Sequence, residues 1–278
     1  MSTQIPAPRP MYWSVRRELW ENRSIYLAPL IVAVFVLFAT AISTMVMAAR
    51  RVAAAGRPLD MAPAPIMMAT FIVGFVYCLD ALYGERRDRS ILFWKSLPVS
   101  DVTTVLSKAS IPLVVLPLIA YVLSIITQIL LLPLTVVALT RSGANVSAEL
   151  DFFQGLLIMA YGLIVHALWF APIYGWLLLV SAWARRAPVL WALMPPLAIA
   201  AVERILFNTW TFMYMLQYRV MGAMREGFNW TKGSHDIERL SQLTPGEFLS
   251  APGLWVGLLF AAGCLAAAVR LRRNREPI

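Results

Sequence analysis

Charged residues are scarce in this sequence. Only 14% of its 278 residues are Asp, Glu, Lys or Arg, about half the quarter that a soluble domain carries. Cysteine is scarcer still: Cys78 and Cys264 both fall inside apolar runs and supply neither a disulfide framework nor metal-ligand spacing. The only histidines are His166 and His235, without a His-Glu-x-x-His or paired-aspartate motif, so an acid–base, nucleophilic or metal constellation has little to build on. No glycine is followed by lysine, which excludes a Gly-x-x-x-x-Gly-Lys-Ser/Thr phosphate loop on this chain. Short alternating segments, the signature of a β-barrel, are missing too.

What is present is long apolar sequence. Uncharged runs occupy 24–49, 61–79, 109–140, 152–184, 187–202 and 248–269. A spanning helix needs about 20 mostly apolar residues, because the hydrocarbon core is roughly 30 Å thick. Helices then satisfy every backbone group within their own segment. The expected fold class is therefore an all-α integral membrane protein forming one domain over 1–278. Its six spans are expected near 25–49, 63–83, 107–139, 152–183, 187–207 and 250–271. The first run is long and lacks a small-residue cleavage site, so it reads as the first span and not as a cleaved signal. Pro112, Pro117 and Pro133 in the third run and Pro172 in the fourth predict kinked, tilted or overlong helices, and Pro195 and Pro196 predict a break or bend in the fifth.

The net charge of +9 raises a nucleic-acid reading, which the placement of the charges answers. The N-terminus, 84–108, 184–186 and the C-terminal tail hold 15 of the 24 basic residues. Basic residues in short loops stay cytoplasmic, so both termini are expected inside a bacterial inner membrane, and no nucleic-acid partner is expected. Arg50, Arg51 and Arg57 run against this trend.

Residues 1–10 are Pro-rich and expected to be disordered. Residues 11–24 form an interfacial helix, with Tyr12, Trp13, Val15, Leu19 and Trp20 on one side and Arg17, Glu18 and Glu21 opposite. The continuation at 205–218 is aromatic and too short to span, which predicts an interfacial or re-entrant segment on the outer side.

Segment 84–108, GERRDRSILFWKSLPVSDVTTVLSK, is the most informative. Glu85, Arg86, Arg87, Asp88 and Arg89 precede an apolar-aromatic patch, Ile91 to Trp94, followed by Lys95. Leu97, Pro98, Val99 and Ser100 form a turn, with Ser100-Asp101 as a helix start. Two readings fit. Phe93 and Trp94 fill a groove on a soluble partner, with Arg86, Arg87 and Arg89 pairing at the rim; or the segment is a positive-inside loop whose aromatics lie in the interface.

The order interfacial helix, two spans, charged loop with an LPVS turn, four more spans and an outer segment before the last resembles type-2, exporter-type ABC transporter permeases. At residue level the likeness is strongest in Glu85-Arg86-Arg87-Asp88 and Leu97-Pro98-Val99-Ser100. The resemblance implies that 11–24 is a connecting helix and that 84–100 holds a coupling helix seated on an ATPase subunit. It also implies a second permease copy or homologue, with ATP and Mg bound by the partner ATPase and no cofactor on this chain. The chain is then a transport subunit and not an enzyme; a membrane enzyme or an ATP-independent scaffold or carrier is the alternative.

Ionisable groups within spans are functional candidates. Asp80 reads as an interfacial partner of Arg86 or Arg87, or as a substrate or proton site. His166 reads as a histidine bonded to a neighbouring helix, or as a substrate contact. Glu203 and Arg204 read as an ion pair bracing the outer segment, or as a gate. Gly253, Gly257 and Ala261, spaced by four, form a small-residue stripe that permits close helix approach.

Overall fold

The computed structural model describes residues 10–46, 63–96, 99–142, 152–228 and 240–274. Residues 1–9 of the expected disordered tail, the 50–60 loop, Leu97, Pro98 and His235 lie outside these residues, as do the side chains of Trp94 and Lys95; Pro10, expected in that tail, opens the first helix. Among the described residues the fold is all-helical, with one isolated antiparallel bridge between Phe228 and Leu243.

Helix α1 (Pro10–Glu21) is followed by α2 (Ser24–Val46), α3 (Pro63–Asp80), α4 (Tyr83–Arg87), α5 (Ile91–Ser96) and α6 (Asp101–Ser110). A π-helical turn (Ile111–Val115) joins α6 to α7 (Leu116–Ser142). Then come α8 (Phe152–Trp183), α9 (Pro188–Phe207), α10 (Thr211–Gly227), α11 (Pro245–Ser250) and α12 (Pro252–Asn274). Six stretches are long and apolar enough to cross a membrane: Ser24–Ser43, Pro63–Arg87, Asp101–Val137, Phe153–Trp183, Pro188–Phe207 and Pro252–Asn274. The molecule is a multi-pass membrane protein.

Prolines act differently from one span to the next. Pro112, which has no N–H to donate, falls inside the π-turn, where the Leu116 N–H reaches back five residues to the Ile111 carbonyl. The ladder there absorbs the missing donor by widening. Pro133, Pro172, Pro195 and Pro196 sit within helices that continue through them. The expected break in the fifth span therefore does not occur at Pro195–Pro196. Helix α9 ends at Phe207, where Asn208 adopts a left-handed conformation (φ 54°), and asparagine tolerates that region well. The segment after α9, expected as an interfacial or re-entrant continuation, is accordingly a separate helix, α10, packed against α8, α9 and α11.

The most extensive helix pair is α8 with α12. At Gly175 an added Cβ would lie 3.2 Å from the Ala261 Cα and carbonyl oxygen, so backbone meets backbone. The small-residue stripe on α12 divides its work. Ala261 admits α8, whereas Gly253 and Gly257 leave room for Tyr218 and the Arg219 guanidinium of α10. Gly175→Leu should therefore push α12 off α8 and destabilise the protein by roughly 1–3 kcal/mol. A thermal-unfolding midpoint in detergent checks this; an unchanged midpoint would mean that the two backbones do not depend on their close approach.

Candidate functional site

The chain brings α1, the end of α3, α4, α6 and the end of α12 to one end of the bundle, and there it buries charge. Glu18 is fully enclosed on α1. Its Oε1 accepts from Lys108 Nζ at 2.9 Å and from Arg17 Nη2 at 2.7 Å, and its Oε2 accepts from the Tyr77 hydroxyl at 2.8 Å. Glu85 Oε1 lies 3.1 Å from the same Lys108 ammonium and 3.4 Å from Arg17 Nη2. Its other oxygen pairs with Arg272 Nη1, and Arg272 Nε donates to Asp101 at 3.1 Å. Glu18, Glu85, Lys108 and Arg272 are each under 10% exposed. Two carboxylates and two cations interleave, so the cluster is neutral at its centre, the condition under which buried charge is tolerated.

Burial by itself would push the Glu18 carboxyl up. The Lys108 ammonium, together with hydrogen bonds from Arg17 and Lys108, outweighs it and holds the carboxyl below its ordinary value. A carboxyl shifted downward on folding contributes stability that is complete above its unfolded pKa of 4.5 and disappears as pH falls through the folded value. Glu21, pushed upward chiefly by burial, adds an opposing slope. Acidification below pH 4.5 should lower the unfolding midpoint. Glu18→Gln should flatten that fall, and equal pH profiles for the two proteins would rule out this assignment.

Beside the cluster, Arg86 is buried and donates to the carbonyls of Ser181 and Ala184, closing the C-terminal end of α8 where a cation is favoured. In return the Ser181 hydroxyl accepts from the N–H groups of Leu82 and Tyr83 at 3.0 and 2.9 Å. Glu85 and Arg86 therefore face inward, and a rim role for Arg86 does not hold. Arg87, Asp88 and Arg89 face out. Arg87 Nε contacts Asp88 at 2.9 Å, and its Nη1 stands 3.9 Å from Asp80, so the expected interfacial pair forms at long range and with Arg87 alone.

Arg89 takes a left-handed conformation (φ 57°), which turns the chain from α4 into α5. Ile91 is buried there, while Leu92 and Phe93 are 59% and 60% exposed. Val99 is half-buried, and Ser100 accepts from the Thr103 N–H at 3.1 Å, capping α6 as its sequence predicts. On the outer face of α1, Arg16 lies over both Trp13 and Trp20, at 5.3 and 4.6 Å from the ring centroids. Indole rings and a cation together suit the headgroup region.

The remaining candidates lie elsewhere. His166 Nε2 is 3.3 Å from the Tyr174 hydroxyl and its ring stacks on Phe170; the partner belongs to the same helix, not a neighbouring one. Glu203 and Arg204 form no ion pair with each other, since each is engaged by the turn that follows the helix. Glu203 instead accepts from the Thr209 hydroxyl and from the N–H groups of Thr211 and Phe212, at 2.7, 2.8 and 2.8 Å, and so caps α10. Arg204 donates to the Asn208 carbonyl and lies over Trp210. The segment after α9 is braced, but by a helix cap.

Sequence reasoning missed Glu18, Tyr77, Lys108 and Arg272 as one site, and Arg219 as a staple that donates to the carbonyls of Trp169 and Gly253. One available signal was a lysine at the very edge of a 32-residue uncharged run, 109–140. Among the described residues no three His, Cys, Asp or Glu side chains gather as a metal set. No family model, curated protein or solved structure matches this chain.

Proposed function

We propose that the chain is the membrane-spanning subunit of an ATP-driven ABC exporter of the type-2 permease kind. It works as a dimer with a second permease copy or homologue, in a bacterial inner membrane, with both termini cytoplasmic. ATP and Mg bind the separate ATPase subunit. The cargo is a peptide, lipid or hydrophobic compound. The observation that carries this reading is the α4–α5 segment: a short helix presents Leu92 and Phe93 outward beside Arg87, Asp88 and Arg89. An exposed aromatic with charges at its margin is the composition of a docking hot spot.

The buried cluster gives that segment a mechanical role. Force applied at α5 passes to Glu85 and from there, through Lys108 and Arg272, to α6, α1 and α12 together. An ATPase closing on ATP would then move four helices as one body and shift the populations of inward- and outward-facing states.

The test is a pull-down of the tagged chain from its native membrane in mild detergent. A stoichiometric partner carrying a phosphate-binding loop is expected. Recovery of the chain alone, or with a stoichiometric partner lacking such a loop, would overturn the proposal.

A further inference from the structure

Between α3, the π-turn, the start of α7 and α8 lies a small cavity of about 20 Å³ that opens to the surface. It lies beyond the ionic cluster, inside the bundle. Thr70 precedes Tyr77 by seven residues, roughly 10 Å along α3, and Pro112 follows Lys108 by four, roughly 6 Å. Thr70, Phe71, Pro112, Pro117, His166 and Tyr174 make up most of its wall. No carboxylate, lysine or arginine lines it, so an ionised ligand group would enter without a counter-charge, which at this depth is prohibitively costly.

The polar groups on this wall are arranged to meet a neutral one. Thr70 directs its hydroxyl proton to the carbonyls of Met67 and Ile66, at 2.8 and 3.2 Å, and its oxygen keeps accepting capacity. His166 Nε2 and the Tyr174 hydroxyl stand 3.3 Å apart, long for a direct O–H···N bond and short enough for a third group to engage both. One acceptor facing a paired donor and acceptor suits a hydroxyl or an amide. The enclosed space admits a group of about the size of a water molecule, far less than a whole drug-sized molecule needs, so only the small polar end of an amphiphile fits and its chain stays outside the cavity.

We infer that this cavity binds the neutral hydrogen-bonding end, hydroxyl or amide, of an aliphatic amphiphile. The π-turn forms part of the wall and connects directly to α6, whose Lys108 and Asp101 belong to the buried cluster. Occupancy at Pro112 therefore bears on the helix that carries Lys108. That the amphiphile is cargo rests on the exporter reading; the binding site itself does not.

The test uses the purified full chain in nanodiscs, without any ATPase, and a diazirine-bearing octanol as the probe, with adducts mapped by mass spectrometry. Adducts are expected on α3 and α8 around Thr70, Phe71, His166 and Tyr174. Excess octanol should suppress them five- to tenfold more than octane does, the effect of a single hydrogen bond. Thr70→Val and His166→Phe should each remove that difference while the thermal midpoint and gel-filtration profile are retained. Labelling spread evenly over lipid-facing helices, equal competition by octane, or unchanged selectivity in both folded variants would overturn the inference. Failure to recover an ATPase by pull-down would leave these readouts intact, so the two proposals fail separately.

Discussion

Lys108→Met should lower the thermal midpoint of the detergent-solubilised protein by roughly 6–20 °C. The ammonium is 2% exposed and sits between two carboxylates, 2.9 Å from Glu18 and 3.1 Å from Glu85. Removing it leaves Glu18 with Arg17 and the Tyr77 hydroxyl, and Glu85 with Arg272 and a long contact to Arg17. Two buried carboxylates then face each other across the vacated space. Breaking a buried pair by deleting one partner costs about 3–5 kcal/mol, and in a protein of this size each kcal/mol corresponds to roughly 2–4 °C. The double variant Glu18→Gln, Lys108→Met removes one charge of each sign, leaves Glu85 paired with Arg272 and should recover most of the loss. If the single variant melts with the wild type, the cluster does not hold this end together. If the double variant melts as low as the single one, packing and not charge is responsible.

This cluster also marks where reading the sequence stopped short. The six spans were legible because each depends on one local quantity, the length of an apolar run. Ser100 was legible as a helix cap because its partner, Thr103, is three residues away. Glu18 was not. On α1 it shares a face with Arg17 and Glu21, and a polar face reads as solvated. What covers it comes from Tyr77 and Lys108, 59 and 90 residues onward, and no periodicity within α1 carries that information.

The run Glu85-Arg86-Arg87-Asp88 shows the same limit. Its four charges look alike in sequence, yet the first two are buried and the next two exposed. The division is made by Arg272 from α12 and by carbonyls at the end of α8. Counting Lys108 and Arg272 as topological charges concealed that both side chains are interior.

Within the docking proposal, Leu92→Ala combined with Phe93→Ala should reduce affinity for the ATPase subunit by about 30-fold or more. Truncation of a single hot-spot residue costs 2 kcal/mol or more, and every 1.4 kcal/mol is tenfold in affinity. Both side chains are more than half exposed, whereas Ile91 one position earlier is 1% exposed and anchors α5 to the bundle. The double variant should therefore insert, fold and melt like the wild type while losing its partner. Ile91→Ala should instead lower the melting midpoint by loosening the base of the helix. Co-purification in mild detergent, normalised to permease recovered, reads the first effect, and thermal unfolding reads the second. Full retention of the ATPase by the Leu92/Phe93 variant would place the contact elsewhere and leave these side chains in the lipid interface. Loss of both partner and stability would instead make the exposed face part of the fold. Only loss of the partner alone, on a molecule as stable as before, assigns α5 the docking role.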